Sequence, residues 1–230
     1  MIPVYINNWN ILEWVKNMTK YLEKVSNVVI VIIDNNSTYP PLLDWYKSCG
    51  YEVIRLAKNE GSRHGYWHVP KGAVHERLYG DKYFVFTDAD LDLSNCPVDL
   101  MSVLKQGVEK YDKKCGLSIE VNDVPLDSLT YEGVQKDRCY WNSPLDEIYF
   151  DAPADTTFAM YHKDAYDYTT IATRANRPYT TKHIPWYFTS VNDFNEEEIY
   201  MYSQRPVVLH AGGQWTKHIY NSLKHTKIHV

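Results

Sequence analysis

The stretch Tyr83-Phe84-Val85-Phe86-Thr87-Asp88-Ala89-Asp90-Leu91-Asp92 decides how the rest of the chain is read. Its first half is rich in β-branched and aromatic residues, the composition of a strand buried within a sheet. It then stops in three carboxylates at alternate positions. In an open α/β sheet, ligands bind just beyond the carboxyl ends of the strands, which is where Asp88, Asp90 and Asp92 fall. Carboxylates are hard oxygen ligands suited to Mg²⁺ or Mn²⁺, ions that often take phosphate oxygens as further ligands. The pattern points to a divalent metal holding a phosphorylated substrate. The plainer alternative is an acidic turn that caps the next helix.

Upstream of this stretch, apolar runs alternate with helical periodicity. Residues 2–6 read as a strand ending at the polar break Asn7-Asn8, and Trp9, Leu12, Val15, Met18, Leu22 and Val25 then recur at helical spacing. Residues 28–33 form a continuous apolar run, as expected of a strand covered on both faces of a parallel sheet, and end in Asp34-Asn35-Asn36-Ser37-Thr38. Pro40-Pro41 starts a helix that Gly50 ends. Residues 51–56 predict a third strand, 58–65 a polar loop, and 68–78 a helix leading into the central strand. This β-α-β-α-β-α-β order predicts an α/β fold, a mainly parallel central sheet with helices on both faces. The polar breaks after strands one, two and four would open on one edge.

Downstream, residues 97–110 predict a helix and 116–121 a strand. Residues 122–146 are polar and aperiodic, and read as a surface excursion. Residues 149–161 read as one strand interrupted at Pro153, with Asp155 just beyond the break. Residues 174–187 look loop-like and contain His183, Trp186 and Tyr187. Asn195-Glu196-Glu197-Glu198 opens a short helix, where acids complement the positive end of the macrodipole. Residues 206–213 predict a last strand running through His210 into Gly212-Gly213. No internal repeat or interdomain linker is visible, so residues 1–230 are expected to form a single domain.

Bulk properties exclude several classes. A formal net charge of −5 in 230 residues argues against a nucleic-acid binder, which would show a basic face. The longest apolar run is too short to span a bilayer, and the N-terminal residues lack the basic and apolar regions of a signal peptide. Cys49, Cys96, Cys115 and Cys139 have no metal-ligand spacing and fit reduced thiols in a cytoplasm.

The sequence resembles the GT-A glycosyltransferases, specifically the large family 2 group, over nearly its whole length. The matching pieces are Pro3-Val4-Tyr5-Ile6-Asn7-Asn8, Val31-Ile32-Ile33-Asp34-Asn35-Asn36-Ser37, Asn59-Glu60-Gly61, Phe86-Thr87-Asp88-Ala89-Asp90 and Val208-Leu209-His210-Ala211-Gly212-Gly213. Their order and spacing carry the resemblance. It implies a nucleotide-diphosphate sugar donor bound by residues 1–93 and a hydroxyl acceptor, such as a glycan, bound by 94–230. It also implies that Pro3, Val4 and Tyr5 line the nucleotide cleft, that Asp34 accepts hydrogen bonds from base or ribose, and that Asn59 and Gly61 approach the base. Arg63 and His64 are further candidates for the nucleotide. Asp88 would contact the ribose or a water on the metal, Asp90 would ligate Mn²⁺ or Mg²⁺, and His210 would complete the metal site, with His183 a weaker rival.

An inverting transfer needs a base for the acceptor hydroxyl. The Glu-Asp or Asp-Asp pair usual in the family is missing. Glu197 stands in its place, Glu198 beside it, and Asp155 is the rival. Asp92 is expected to cap the following helix, and Trp186 and Tyr187 to wall the acceptor. Competing readings are a haloacid-dehalogenase-type phosphohydrolase, which also places Asp-x-Asp after a strand, a nucleotidyltransferase, and a sugar-nucleotide-binding module without turnover.

Overall fold

A computed structural model describes residues 1–61, 82–154, 158–164 and 171–204. The expected α/β alternation is present. Strands β1 (Ile2–Asn8), β2 (Val28–Asp34) and β3 (Glu52–Arg55) are connected through helices α1 (Glu13–Leu22) and α2 (Pro40–Tyr46), and β4 (Tyr83–Asp88) follows. Then come β5 (Leu91–Asp92), α3 (Leu100–Tyr111), β6 (Lys114–Ile119), α4 (Tyr131–Arg138), β7 (Tyr149–Asp151), β8 (Ala159–His162), β9 (Ala172–His183) and α5 (Glu196–Gln204).

Among the described residues the sheet has nine strands and runs in the order β3-β2-β1-β4-β8-β6-β9-β5, with β7 on β9. The half formed by β3-β2-β1-β4 is wholly parallel. Beyond β4 it is mixed: β8 runs antiparallel to both β4 and β6, whereas β6 and β9 are parallel. From β1 the chain moves outward through β2 to β3, then returns to the other side of β1 at β4. The β1–β4 seam is therefore the topological switch point, where the crevice of an open α/β sheet opens.

Strand alternation sorts the core into two layers. Val4 and Ile6 of β1, Ile32 of β2 and Val85 of β4 face α1, α2 and α3 through Val15, Met18, Leu22, Leu42, Leu100 and Leu104. Tyr5, Val31, Ile33, Phe84 and Phe86 face the other way, against Ala159 and Tyr161 of β8. The helix expected at 68–78 lies outside the described residues, as does the strand expected at 206–213.

Three expectations are corrected. The surface excursion contains α4, whose Val134 packs beneath Trp186 with Ile119, Val121 and Val124. Residues 149–161 are two strands with different partners, β7 on β9 and β8 between β4 and β6. Residues 174–187 are not a loop. Most belong to β9, a twelve-residue strand that pairs with β5, β6 and β7. Its register against β6 jumps from Ala175 opposite Leu117 to Thr180 opposite Ser118, so residues 176–179 bulge out around Pro178. Backbone pairing rather than an apolar face makes this segment a strand.

Candidate active site

The first determinant of the site is the length of β1. The strand does not stop at residue 6 but continues through Asn7 and Asn8, which lie opposite Ile33 and Asp34 of β2. Beyond the strand ends the ladder is extended by Asn35 N–H to Asn8 C=O at 2.9 Å and by Ala89 N–H to Asn7 C=O at 3.1 Å. The carboxyl edge thus lies two residues later than expected. Pro3, Val4 and Tyr5 consequently do not line a cleft: all three are buried, and Val4 and Tyr5 are 0% exposed in opposite core layers.

At the switch point a cavity of about 300 Å³ opens, of the size that takes a small ligand. Asn7, Asn8, Asn35, Asn59, Gly61, Asp88 and Asp90 form its polar part, and Trp9, Ile11, Trp14, Pro185, Met201 and Tyr202 its more apolar part. Of the residues expected at the nucleotide, Asn59, Gly61 and Asp88 are here, and so is Asp90, expected at the metal. Asn7 Nδ2 donates to Asp88 Oδ1 at 2.8 Å, fixing the first carboxylate across the seam. Asn8 Nδ2 donates to Ile11 C=O and Tyr46 Oη, both at 2.9 Å. The Oδ1 atoms of Asn7 and Asn8 are buried without a hydrogen-bond donor among the described residues.

Asp34 ends β2 but does not line the cavity. It is 0% exposed, and its carboxylate accepts from Arg55 Nε at 2.8 Å, from Ser37 N–H and from Tyr46 Oη at 3.3 Å. Burial and the nearby Asp34 push the Tyr46 hydroxyl pKa well up, keeping it a donor. The cavity-lining residue of this turn is Asn35. Its Oδ1 accepts Glu60 N–H at 2.7 Å and its Nδ2 donates to Gly61 C=O at 3.0 Å, so one amide clamps the third loop. Gly61 sits at φ 75°, a conformation that strains any residue with a Cβ. Asn10, fully buried, supports the same turn by accepting Thr38 N–H at 2.7 Å and Tyr39 N–H at 3.0 Å.

Asp90 is held from a different direction. Ile184 N–H donates to Asp90 C=O at 2.9 Å, and β5 pairs with β9 so that Leu91 lies opposite His183. His183 Nε2 lies 3.3 Å from Asp90 Oδ2. Asp92 does not cap α3. It accepts Ser94 N–H at 2.8 Å in a local turn, while the residue preceding α3 is Asp99.

The glutamate cluster resolves into different duties. Glu198 and Asn195 form a reciprocal pair at the start of α5: Glu198 Oε2 accepts Asn195 N–H at 2.9 Å and Asn195 Oδ1 accepts Glu198 N–H at 3.0 Å, a capping box. Glu197, only 5% exposed, reaches α1 instead and accepts Leu12 N–H at 2.9 Å and Glu13 N–H at 3.1 Å. A helix start leaves such N–H groups without intrahelical partners, and α1 has no side-chain cap of its own. Burial pushes both glutamate carboxyls above their ordinary range, against the lowering effect of the N–H donors. One turn further along α5, Met201 and Tyr202 reach the cavity.

Trp186 is buried in the α4 layer, its ring nearly perpendicular to that of His183, and Tyr187 donates to Asp123 Oδ1 at 2.6 Å. Neither lines the cavity. Trp9 and Trp14 do, the former following directly on the asparagine pair that ends β1. Asp155, His210, Arg63 and His64 lie outside the described residues.

No family model matches the chain, and no curated protein matches it. Among solved structures it is similar to TarS 1-349 of S. aureus, with 12% identity over 97% of this chain and 70% of that one and a TM-score of 0.46. It is similar to the mannosyltransferase PcManGT of Pyrobaculum calidifontis, solved with GDP-Man and Mn²⁺, with 10% identity over 97% of this chain and 73% of that one and a TM-score of 0.48. It is also similar to glucosyl-3-phosphoglycerate synthase of Mycobacterium tuberculosis in complex with phosphoglyceric acid, with 13% identity, 71% and 57% covered and a TM-score of 0.42.

Proposed function

We propose that this chain is a GT-A glycosyltransferase that moves a sugar, a hexose or a relative of one, from a nucleotide-diphosphate sugar to a hydroxyl acceptor such as a glycan, with Mn²⁺ or Mg²⁺. One observation carries the reading: the ends of β1, β2 and β4 and the loop after β3 converge on one cavity at the topological switch point.

The donor set fits a hard divalent cation. Asp88 and Asp90 stand together at the rim, and the buried amide oxygens of Asn7 and Asn8 add further acceptors. Among the described residues that line the cavity there is no lysine or arginine. A diphosphate would meet two carboxylates there, and a cation is the electrostatic remedy. Asp90 and His210 would hold the ion, which when bound stabilises negative charge developing on the leaving diphosphate. Asp88 serves the nucleotide, its orientation set by Asn7, while Asn35, bonded to Glu60 and Gly61, holds the loop that brings Asn59 and Gly61 to the base. Asp34 supports this turn from beneath.

Acceptor binding is assigned to the Trp9, Trp14 and Tyr202 side of the cavity, where aromatic faces suit the apolar face of a sugar ring. Glu197 is committed to the start of α1, so we assign the base of an inverting transfer to Asp155. The four cysteines are free thiols, in keeping with a cytoplasmic setting, and among the described residues no helix is long and apolar enough to cross a membrane.

A panel of nucleotide sugars tests the reading through Mn²⁺-dependent thermal stabilisation and slow donor hydrolysis. At least one sugar nucleotide should raise the melting temperature with Mn²⁺ and not with EDTA. Stabilisation by none of them, beside release of phosphate from phosphomonoesters, would replace this reading with the phosphohydrolase.

A further inference from the structure

We infer that His183 belongs to the coordination sphere of the donor's divalent cation, its Nε2 and the Asp90 carboxylate occupying neighbouring positions on the ion. The inference rests on the donor reading given above. His183 is the last residue of β9, a segment whose polar composition hides both its strand character and its approach to the acidic motif.

The backbone fixes this approach twice. Leu91 and His183 are register partners between β5 and β9, and Ile184 N–H donates to Asp90 C=O at 2.9 Å. The imidazole is braced by Trp186, whose ring lies 5.0 Å away at an interplanar angle of 72°. Trp186 is itself seated in the α4 layer. The side chains of His183 and Asp90 are 23% and 27% exposed, so both are sheltered yet open to a solute. Asp90 and Pro185, on either side of this contact, line the cavity.

The spacing suits shared coordination. In an octahedral site with bonds of ~2.1 Å, two ligand atoms at right angles lie about 3.0 Å apart. Nε2 and Oδ2 stand 3.3 Å apart, so an ion can bridge them with a shift of a few tenths of an ångström. Neutral imidazole is a competent ligand for Mn²⁺ and related ions alongside carboxylate oxygen. A plain histidine–carboxylate pair would have the same spacing, and metal binding distinguishes the two.

The test is the affinity for Mn²⁺ in the presence of saturating UDP or GDP, read by electron paramagnetic resonance of the free ion. The unaltered protein is compared with His183→Ala, His183→Gln, His210→Ala and Asp90→Ala, each checked for folding by circular dichroism. His183→Ala should weaken Mn²⁺ by at least ~10–100-fold, the loss that follows removal of a group that merely supports a metal ligand. Nitrogen coupling to the bound Mn²⁺ should persist in His210→Ala and vanish when His183→Gln is added to it. Should His183→Ala misfold, His183→Gln, which keeps much of the side-chain volume, reads the same loss. Unaltered Mn²⁺ affinity in a folded His183 variant, with affinity lost in Asp90→Ala, would overturn the role of His183 and leave the donor site standing. Unaltered affinity in Asp90→Ala as well would instead overturn the donor site on which the inference rests.

Discussion

Asn7, the last residue but one of β1, and Asp88, the last of β4, are register partners on neighbouring parallel strands, and the Asn7 amide donates to the Asp88 carboxylate at 2.8 Å. This contact closes the seam at which the strand order reverses, and it holds the first acid of the motif at the cavity.

Removing the donor should therefore disturb stability and ligand binding together. Asn7→Ala should cost about 1.5–3 kcal/mol in urea unfolding, the range for a hydrogen bond to a charged group. It should also weaken nucleotide binding in calorimetry. An Asn7→Ala protein with parent stability and parent affinity would show that the contact orients nothing.

Glu197 is assigned to the start of α1. Glu197→Ala leaves the N–H groups of Leu12 and Glu13 without their acceptor and should cost about 1–2 kcal/mol. Glu197→Gln keeps an acceptor, so it should fold well and transfer sugar within a few-fold of the parent rate. Loss of ~10²–10⁴-fold in Glu197→Gln, with donor binding intact, would make it the base after all.

The same carboxylates predict a pH dependence. Burial raises the folded-state pKa of both Glu197 and Glu198 above the ordinary glutamate value. In the window between the two values the folded chain holds more protons than the unfolded one, so stability falls as pH rises through it. The contribution is fully present below the unfolded pKa and gone above the folded one. Glu197→Gln should flatten this slope in thermal melts across the mildly acidic range. An identical slope in the variant would contradict the assignment of the shift.

A buried ion pair ties α4 to β9 and, through Arg174, to Pro153. Arg174 Nη1 lies 2.7 Å from Asp137 Oδ1, with side-chain exposures of 4% and 9%, and Arg174 Nε donates to Pro153 C=O at 2.7 Å. Arg174→Met should cost about 3–5 kcal/mol, because the Asp137 carboxylate stays buried without its guanidinium. Adding Asp137→Leu should recover much of that loss. A single variant as stable as the parent would show that Asp137 is neutralised some other way.

The four parallel strands β1–β4 and the helices α1 and α2 are legible in the sequence, because strands buried on both faces, such as β2, read as unbroken apolar runs. The second half was less so. Nothing in Ala172–His183 alternates cleanly, because β9 is held by pairing to three other strands. The helix α4 offers one fully buried aliphatic side chain, Val134, too little for a periodic signal. In the candidate site, the acids of residues 88 and 90 are legible from their place after an apolar run, whereas Asn59 and Gly61 come from the resemblance to the GT-A glycosyltransferases. Asn35 could not be separated from Asp34, since both belong to good turn chemistry. What separates them is Arg55, twenty-one residues away, which draws the aspartate inward. The division of the glutamates between Asn195 and α1 likewise depends on contacts that no local pattern encodes.

Metal-dependent donor binding at the ends of β1 and β4 is the central claim, and Asp90→Ala tests it most directly. Calorimetric titration with UDP, GDP and dTDP, each with Mn²⁺ and with EDTA, should show binding of at least one nucleotide by the parent protein that requires the metal. The variant should lose that metal-linked affinity while keeping its fold. Equal, Mn²⁺-linked affinity in parent and variant would contradict the account.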